Sequence, residues 1–564
     1  MAGDSTSEVV KVCSACGLPP RKTKEGNLQP LKRCSRCKQA WYHDLTCQRK
    51  HFPTHKKTCT PRPPSQNASI VSGTLKVQKL VVEQREGRGN CLVTTSSIQK
   101  GRRIFTEAIN GFCQPLVPPA LHQDSRSSRC AFCFQRLQNR FFRYDNIRPR
   151  PQYMLLFCSP DCRDAGKSYS FPEEELAIGN LYERQGSGPP EIFSTSILLY
   201  RILVSTQSTD PGKHQTGEKL DKLQHRAKKA QSMESASDYH TQTVIATVVA
   251  MVQESKNLQL RLPPLGELTD MVNRIKINGF SICDVEYVAM GVGLYYMPSF
   301  MNHSCKPNTI QTFLYGQHKL PVVILTAFED IRSGQEICIS YVDNSCPRHI
   351  RRKRLSNDYF FWCSCEACKD DDYNSRLSGI KCPQCTNNTP AKLVESHAPS
   401  SQFFECSKCG NRNFEKPLEL LRRFEETTAS SLSVEQMRHG YGEMKEICFA
   451  DSWYVHEAGE RLVQVFLDLL AGQPENSAEQ QSSAASALSL LEDLIDINVK
   501  SSSSHFFQKQ IERYKAAKLR LFLVPDPRRA IQELEQVCES LSKYYPENHE
   551  LIIGLTACLN GGLC

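Results

Sequence analysis

The chain has no apolar run of about 18 residues, the length that a helix needs to cross a bilayer. Met1–Asp4 also lacks the basic-then-apolar layout of a signal peptide, so we expect no secretion leader. Charge of one sign is not in large excess, because 70 lysines and arginines oppose 60 aspartates and glutamates. These absences argue against a membrane protein, and they do not demand a nucleic-acid partner.

Cysteine, in contrast, is abundant: the chain has 27 in 564 residues, many in C-x-x-C pairs near histidines. Without a secretion signal, such pairs predict zinc sites in a reducing compartment rather than disulfides. We therefore expect the protein in the cytoplasm and nucleus. The remaining composition, 40% hydrophobic and 23% charged, is typical of a globular protein. The length allows about three or four domains.

The N-terminal segment 1–60 carries eight potential zinc ligands, enough for two tetrahedral sites. They are Cys13, Cys16, Cys34, Cys37, His43, Cys47, His55 and Cys59. So short a segment buries little hydrophobic core, and we expect the metal to supply much of its folding free energy.

Three further cysteine groups predict one zinc each, which brings the expected total to about five sites. The sets are Cys130, Cys133, Cys158 and Cys162; Cys305, Cys363, Cys365 and Cys368; and Cys382, Cys385, Cys406 and Cys409. The trio at 363–368 lacks a fourth ligand, and Cys305 is the natural candidate. A shared metal would fasten the trio to the Asn302–His303 loop and build a pocket from segments that are distant in sequence.

The stretch 278–341 contains Asn302-His303-Ser304-Cys305 and Ile337-Cys338-Ile339-Ser340-Tyr341, and the cysteine trio follows it. Asn302 lies 24 positions after Asn278, and Phe361 lies 20 positions after Tyr341. This order and spacing resemble the SET domain of protein lysine methyltransferases, specifically the SET-and-MYND family, with no gap in either interval. The segment 1–60 is similar to the MYND finger of that family.

The resemblance implies an α+β fold, in which a SET-domain β-fold is split by a small zinc insert and by helices. The segments that we expect are a MYND-type zinc finger at 1–60, a linker at 61–74, the N-terminal part of the SET domain at 75–128, a reduced zinc-finger insert at 129–170, a helical insert at 171–277 with a mobile loop at 205–237, the SET core at 278–345, a post-SET zinc knot at 346–370, a zinc-ribbon-like segment at 371–415 and a C-terminal helical, tetratricopeptide-like domain at 416–564.

The resemblance also implies the chemistry: transfer of a methyl group from S-adenosylmethionine to a lysine amine of a histone or another protein. Tyr341 would be the catalytic tyrosine, and Phe280 and Tyr359 would line the lysine channel. The cofactor would be held by Gly89, Asn90, Asn278, Ser299, Met301, Asn302, His303, Tyr341 and Phe361. Methyl transfer is an in-line displacement, so such a site mainly aligns the reactants. Aromatic walls favour the neutral amine by desolvation.

For the finger, the resemblance assigns Cys13, Cys16, His43 and Cys47 to one zinc, and the other four ligands to the second. His43 stands where the family usually has cysteine, and imidazole is an equally good zinc ligand. Such fingers bind proline-rich peptides, so we expect partners of this kind, a lysine-bearing substrate protein and a monomeric chain. No module has the spacing of a DNA-recognition finger, and we expect no direct nucleic-acid binding.

Two alternatives remain open. Cys91 replaces a glycine that is usual in the family, and 130–162 holds only one of the two zinc sets of a finger. Both features would suit a zinc-rich adaptor that recruits partners without catalysis. The basic run Arg348–Arg354 could be a nuclear address, although a solvated helix face is the simpler interpretation.

Overall fold

The computed structural model of the protein describes residues 31–33, 41–58, 80–104, 113–137, 141–144, 154–185, 190–208, 211–223, 236–285, 287–316, 318–385, 391–395, 402–427, 432–474, 477–496, 503–523 and 527–559. The chain divides into two compact units, Met1–Val77 and Gln78–Cys564. Within the described ranges, no helix is both long enough and apolar enough to cross a membrane.

The first unit contains two short antiparallel strands, β1 (Lys32–Arg33) and β2 (Trp41–Tyr42), followed by helix α1 (Leu45–Thr58). His43 is buried, and its Nδ1 lies 3.9 Å from Cys47 Sγ, as suits two ligands of one metal. The other predicted ligands lie outside the described residues; they are Cys13, Cys16, Cys34, Cys37, Cys59 and the side chain of His55.

The strands of the second unit form several small sheets. They are β3 (Leu80–Arg85), β4 (Gly89–Thr94), β5 (Ala120–Leu121), β6 (Gly279–Cys283), β7 (Ala289–Leu294), β8 (Asn302–His303), β9 (Thr309–Gly316), β10 (Lys319–Ala327), β11 (Cys338–Ile339), β12 (Ala391–Glu395) and β13 (Gln402–Cys406). The antiparallel arrangements are β3–β4, β9–β10, β12–β13 and the three-stranded order β5-β7-β6, whereas β8 and β11 pair in parallel.

The helices of the second unit fall into an inserted group and a C-terminal group, with three short helices between them. They are α2 (Pro160–Lys167), α3 (Phe171–Gln185), α4 (Pro190–Thr206), α5 (Pro211–Lys222), α6 (Ala236–Glu254), α7 (Leu265–Asn278), α8 (Arg348–Tyr359), α9 (Glu366–Lys369), α10 (Asp371–Ser378), α11 (Glu415–Glu426), α12 (Val434–Ile447), α13 (Trp453–Gly472), α14 (Ala478–Asp496), α15 (Ser503–Leu523), α16 (Arg528–Ser542) and α17 (Glu550–Leu559).

The small sheets other than β12–β13 share one hydrophobic core, in which side chains such as Leu92, Ile282 and Val323 are fully buried. A second core joins α3 to α7 and includes Leu294 at the end of β7. Because α7 ends at Asn278, where β6 begins, the inserted helices abut the wall of the site that is described below.

The prediction of a mobile loop at 205–237 is wrong for part of that segment. Helix α4 continues to Thr206, and α5 occupies Pro211–Lys222. Leu220 and Leu223 are 1% and 2% exposed and belong to the core of the inserted helices. The segment is polar except for these leucines, so its composition concealed a helix that two buried side chains anchor.

Candidate active site

Four cysteines from three segments meet at one largely buried point. Cys305 follows β8, Cys363 and Cys365 follow α8, and Cys368 lies in α9. Their sulfur atoms lie within 4.8 Å of one another, with Cys305 Sγ 3.5 Å from Cys368 Sγ and 4.0 Å from Cys363 Sγ. Tetrahedral zinc with Zn–S bonds of about 2.3 Å would hold its sulfurs roughly 3.8 Å apart. The donor set therefore fits zinc, with Cys305 in the place predicted for the fourth ligand. We call these four zinc-site residues the cysteine knot; it contains no disulfide among the described residues.

The parallel pair β8–β11 brings His303 beside Tyr341. The Ser304 N–H donates to the Ile339 carbonyl at 3.0 Å, and the Tyr341 N–H donates to His303 Nδ1 at 3.0 Å. Because Nδ1 accepts, the ring proton is on Nε2, which lies 3.1 Å from Cys305 Sγ. Burial lowers the pKa of His303 to about 4, so the imidazole is neutral near pH 7. His303 thus connects the cysteine knot to the tyrosine backbone.

The Tyr341 hydroxyl has a fixed direction. It donates to the Met301 carbonyl at 2.5 Å, so its oxygen keeps lone pairs for another group. The Tyr341 ring centroid lies 4.7 Å from that of Tyr359 and 5.5 Å from that of His303. The hydrogen bond to Met301 therefore fixes the hydroxyl of Tyr341, and the contacts with Tyr359 and His303 fix its ring.

Helix α8 ends so that the next residues turn back towards Tyr341. Phe360 has a left-handed backbone with φ of 59°, and its N–H donates to the carbonyls of Leu355 and Ser356. A left-handed conformation at a residue with a side chain costs about 1 kcal/mol, so the knot that follows has to hold the turn in place. Tyr359 and Phe361, on either side of Phe360, both line the same cavity.

Two cavities meet at Tyr341. The larger, of about 150 Å³, lies between the β3–β4 turn, β8 and the segment after α8. The smaller, of about 100 Å³, lies between β6, β9 and the segment 298–301. The residues that belong to both walls are Ile277, Asn278, Ser299, Tyr341 and Tyr359. Two compartments with a common tyrosine can hold two reactants against each other.

Most of the predicted site residues lie on these walls. The larger cavity is lined by Asn278, Ser299, Asn302, His303, Tyr341 and Phe361. The predicted channel residues Phe280 and Tyr359 line the smaller cavity, and so does Met301, which was expected at the cofactor.

The predicted glycine turn is shifted by two residues. Gly87 and Arg88 line the larger cavity, whereas Gly89 and Asn90 do not. Gly87 has φ of +71°, and a Cβ built there would meet no atom within 4 Å, so it faces open space. The Asn90 carbonyl accepts from Asn302 Nδ2 at 3.1 Å.

The sequence did not identify the charged pair that braces this turn. Glu336 Oε2 lies 2.9 Å from Arg88 Nε, and Glu336 Oε1 accepts from Asn302 Nδ2 at 2.8 Å. Arg88 could have been found, because it directly precedes Gly89, which was already assigned to the cofactor. Glu336 had no local signal, since its partner lies 248 positions earlier in the chain.

Cys91, which departs from the family pattern, does not line either cavity. It is fully buried, and its Sγ lies 3.2 Å from Asn302 Nδ2. Burial and the nearby Glu336 raise the pKa of the thiol to about 11. Cys91 is thus a neutral packing residue behind the wall, and its substitution for glycine leaves the cavity open.

The interpretation of Arg348–Arg354 as a solvated face is wrong for two of its arginines. Arg351 is 0% exposed, and it donates to the Cys346 carbonyl at 2.5 Å and to Asn374 Oδ1 at 2.7 Å. Its Nη2 also lies 3.9 Å from Cys368 Sγ. Arg348 is buried as well and donates to the Cys368 carbonyl at 2.9 Å. Because a four-thiolate zinc site carries net negative charge, these arginines compensate it.

Two further four-cysteine clusters match the predicted metal sites. In the insert, Cys158 Sγ lies 3.6 Å from Cys133 Sγ and 3.7 Å from Cys162 Sγ. In the ribbon-like segment, the pairs Cys382–Cys409 and Cys385–Cys406 are each separated by 3.7 Å. The members of both clusters lie within 4.8 Å of one another, which fits tetrahedral zinc. The described residues therefore contain three of the five predicted sites.

Comparisons with known proteins agree with this architecture. A SET domain model matches residues 89–342, and a MYND finger model matches residues 11–59. The histone-lysine N-methyltransferase SMYD3 of Mus musculus is 25% identical over 305 residues, which cover 54% of this chain and 64% of that protein. The N-lysine methyltransferase SMYD2-A of Xenopus laevis is 26% identical over 282 residues, or 50% of this chain and 59% of that protein. The matches thus span less than two thirds of these relatives.

A solved structure also matches over most of its length. The SET domain of LSMT bound to lysine and AdoHcy is 15% identical, with 82% of this chain and 96% of that chain covered. The TM-score of 0.32 is too low for this likeness to support an argument.

Proposed function

The chain belongs to the SET-and-MYND family, and from that premise we propose that it transfers a methyl group from S-adenosylmethionine to a lysine amine of a protein. The observation that carries the proposal is the meeting of two cavities at Tyr341. The names of the relatives, as lysine methyltransferases, support it. Because the matches cover only part of those relatives, the residues of this site carry the proposal.

The walls of the larger cavity suit part of S-adenosylmethionine, the donor of an electrophilic methyl group, because a volume of about 150 Å³ is smaller than the whole cofactor. Phe361, which lines this cavity together with the β3–β4 turn, offers an aromatic face for the adenine. Arg88 supplies positive charge for the carboxylate of the cofactor. The open space at Gly87 lets the backbone approach a ligand closely.

The smaller cavity suits the lysine side chain. Phe280 and Tyr359 give it aromatic walls, and burial raises the pKa of Tyr359 to about 12, which reports a poorly solvated site. The same desolvation lowers the pKa of an ammonium group, and the amine has to be neutral to attack a methyl carbon. Ring faces still attract the cation on its way in.

Tyr341 aligns the two reactants. Its hydroxyl hydrogen is engaged by the Met301 carbonyl, so the oxygen can accept weak hydrogen bonds from the methyl group or from the amine. Alignment of nucleophile, methyl carbon and leaving sulfur lowers the barrier of a displacement that needs no acid or nucleophilic side chain.

We expect Tyr341→Phe to lower the rate of methyl transfer by about a hundredfold or more, while cofactor affinity changes little. The measurement is transfer of labelled methyl to lysine peptides, with binding of S-adenosylhomocysteine by calorimetry. Tyr239→Phe is the matched control, because this tyrosine is 66% exposed on α6. Unchanged turnover in Tyr341→Phe would contradict the proposed role.

The N-terminal finger supports a second, compatible role. The match of the MYND finger model to residues 11–59 suggests protein interaction, and we propose proline-rich segments as its partners. The thiolate clusters suit a reducing compartment, which agrees with the proposed location in the cytoplasm and nucleus. If the chain were an adaptor without catalysis, it would not need to bind the cofactor, and the same calorimetry distinguishes the two functions.

A further inference from the structure

A third cavity, of about 390 Å³, opens beside the smaller one. It lies between β9, the segment after β11 and the helices α13 and α15, and we name it the outer cleft. Gln311, Ile339 and Ser340 belong to the walls of both cavities. A ligand that reaches Tyr341 through the smaller cavity therefore has room to extend into the outer cleft.

The outer cleft is lined by more acidic groups than basic groups. Its described lining includes Asp343, Glu457 and Glu460, against one cation, Lys515. Glu457 is paired with Arg461 at 2.9 Å. In the part of the chain that the structure describes, no lysine or arginine forms an ion pair with Asp343 or Glu460; these accept from Ser345 and Gln508 instead.

Glu460 is the acid whose environment most favours an incoming cation. Gln508 Nε2 donates to it at 3.4 Å. The neighbouring Glu512 is 2% exposed and is paired with His456 at 2.8 Å, so that histidine is already engaged. Burial and the proximity of Glu512 raise the pKa of Glu460 against the attraction of His456 and Lys515, so these two cations compensate its charge only in part. A cation from a ligand would supply the missing compensation.

Two polar groups of β9 are also without partners. Thr312 lines the outer cleft and is 7% exposed, yet its hydroxyl has no hydrogen-bond partner among the described residues. The side-chain oxygen of Gln311, which lies at the junction of the two cavities, has none within the described ranges either. Buried polar atoms are nearly always paired, so a ligand with its own donors and acceptors suits this wall. A peptide main chain provides both.

We propose, on the basis of the function proposed above, that the outer cleft holds the substrate segment beside the target lysine and selects a basic residue in it. Glu460 is the specificity-determining residue and Asp343 adds to its field, while Gln311 and Thr312 bind the main chain. The substrate class is therefore a protein segment that carries arginine or lysine close to the methylated lysine.

The test uses the full chain and a set of peptides with one lysine among alanines. A single arginine is moved through the positions on either side of the lysine. Affinity is measured by fluorescence anisotropy with S-adenosylhomocysteine present, and kcat/KM with labelled S-adenosylmethionine. The variants are Glu460→Gln, which keeps the shape of the side chain, and Glu479→Gln as the control, since that glutamate is exposed on α14.

We expect arginine at one or two positions to tighten binding about tenfold in the wild type and in Glu479→Gln. In Glu460→Gln, the ratio between the arginine and alanine peptides should fall to about one. Absence of any arginine preference, or a preference that survives in Glu460→Gln, would overturn the inference. Methylation of all peptides without preference would leave the proposed function intact and reject only the proposed role of the outer cleft. Selective binding without methyl transfer to any peptide would reject the proposed function and support the proposed role of the outer cleft.

Discussion

Asn302 joins three segments of the site through one side-chain amide. Its Nδ2 donates to the Asn90 carbonyl and to Glu336, and it also touches Cys91. Glu336 in turn pairs with Arg88 on the cavity wall. Such a network is strong only while every member is satisfied, because an unpaired polar group in a buried site is costly.

We predict that Asn302→Asp is more harmful than Asn302→Ala. The new carboxylate would face Glu336, whose Oε1 lies 2.8 Å from the present Nδ2, and like charges at that distance repel. We expect cofactor affinity to fall about tenfold or more, together with a lower melting temperature. Calorimetry with S-adenosylhomocysteine and thermal denaturation measure the two effects.

The control for this prediction is a double-mutant cycle. Adding Glu336→Gln to Asn302→Asp removes the repulsion. The loss of binding free energy for the cofactor in the double variant should therefore be smaller than the sum of the losses in the two single variants. If the two effects simply add, Asn302 and Glu336 do not interact in the way described.

At the scale of elements, the strand pair β8–β11 is too short to be stable on its own. Each strand has two residues, and pairing of this length has little intrinsic stability. The Asn308 side chain adds support, because its Oδ1 accepts from the Cys338 N–H at 2.9 Å and its Nδ2 donates to the Glu336 carbonyl at 2.8 Å. The cysteine knot fastens the other end through Cys305.

We predict that Cys305→Ser lowers cofactor affinity at least about tenfold and removes one zinc per chain, because Tyr359 and Phe361 depend on the knot for their position. Cys385→Ser is the matched control: it removes a ligand of the ribbon-like cluster, so it should also cost one zinc but leave cofactor affinity within about twofold. Zinc is counted by elemental analysis and affinity by calorimetry. Equal loss of affinity in both variants would mean that the knot has no special connection to the site.

The sequence was informative about elements where a residue type is demanded by chemistry. Cysteine spacing predicted the clusters, and the intervals around Asn302 and Tyr341 predicted residues that line the two cavities. The sequence did not predict which side of an element is buried. A basic run does not reveal that Arg351 lies beside the Cys368 sulfur, and the turn 87–90 does not reveal which glycine lines the cavity.

At the scale of the whole second unit, the C-terminal helices pack directly on the SET core. Phe328, after β10, contacts the rings of Phe506, Phe507 and Tyr544. Glu550, at the start of α17, accepts from the Tyr315 hydroxyl at 2.5 Å. Phe507 also lines the outer cleft, so the helical domain contributes to the wall of that cleft as well as to stability.

We predict that this packing weakens in acid because of His549. The residue is 4% exposed between Tyr545 and Tyr315, and burial lowers its pKa to about 4. The unfolded chain, with an ordinary histidine pKa of about 6.5, binds a proton that the folded chain excludes. Stability is therefore lost as the pH falls from about 6.5 towards 4.

His549→Asn removes this titration and should make the free energy of unfolding less dependent on pH. Between pH 7 and pH 5 the wild type should lose about 2 kcal/mol more than the variant. Urea denaturation at the two pH values measures the difference. An equal loss in both proteins would show that His549 is not excluded from protonation.

The central claim is that a cofactor cavity and a lysine channel meet at Tyr341, and a bisubstrate ligand tests it most directly. In such a ligand, the adenosyl amino acid carries nitrogen in place of sulfur and is joined by a short alkyl linker to the amine of a lysine peptide. Calorimetry should give an affinity at least about a hundredfold above that of S-adenosylhomocysteine or of the peptide, because one molecule would fill both cavities. An affinity no higher than that of the better half would contradict the account.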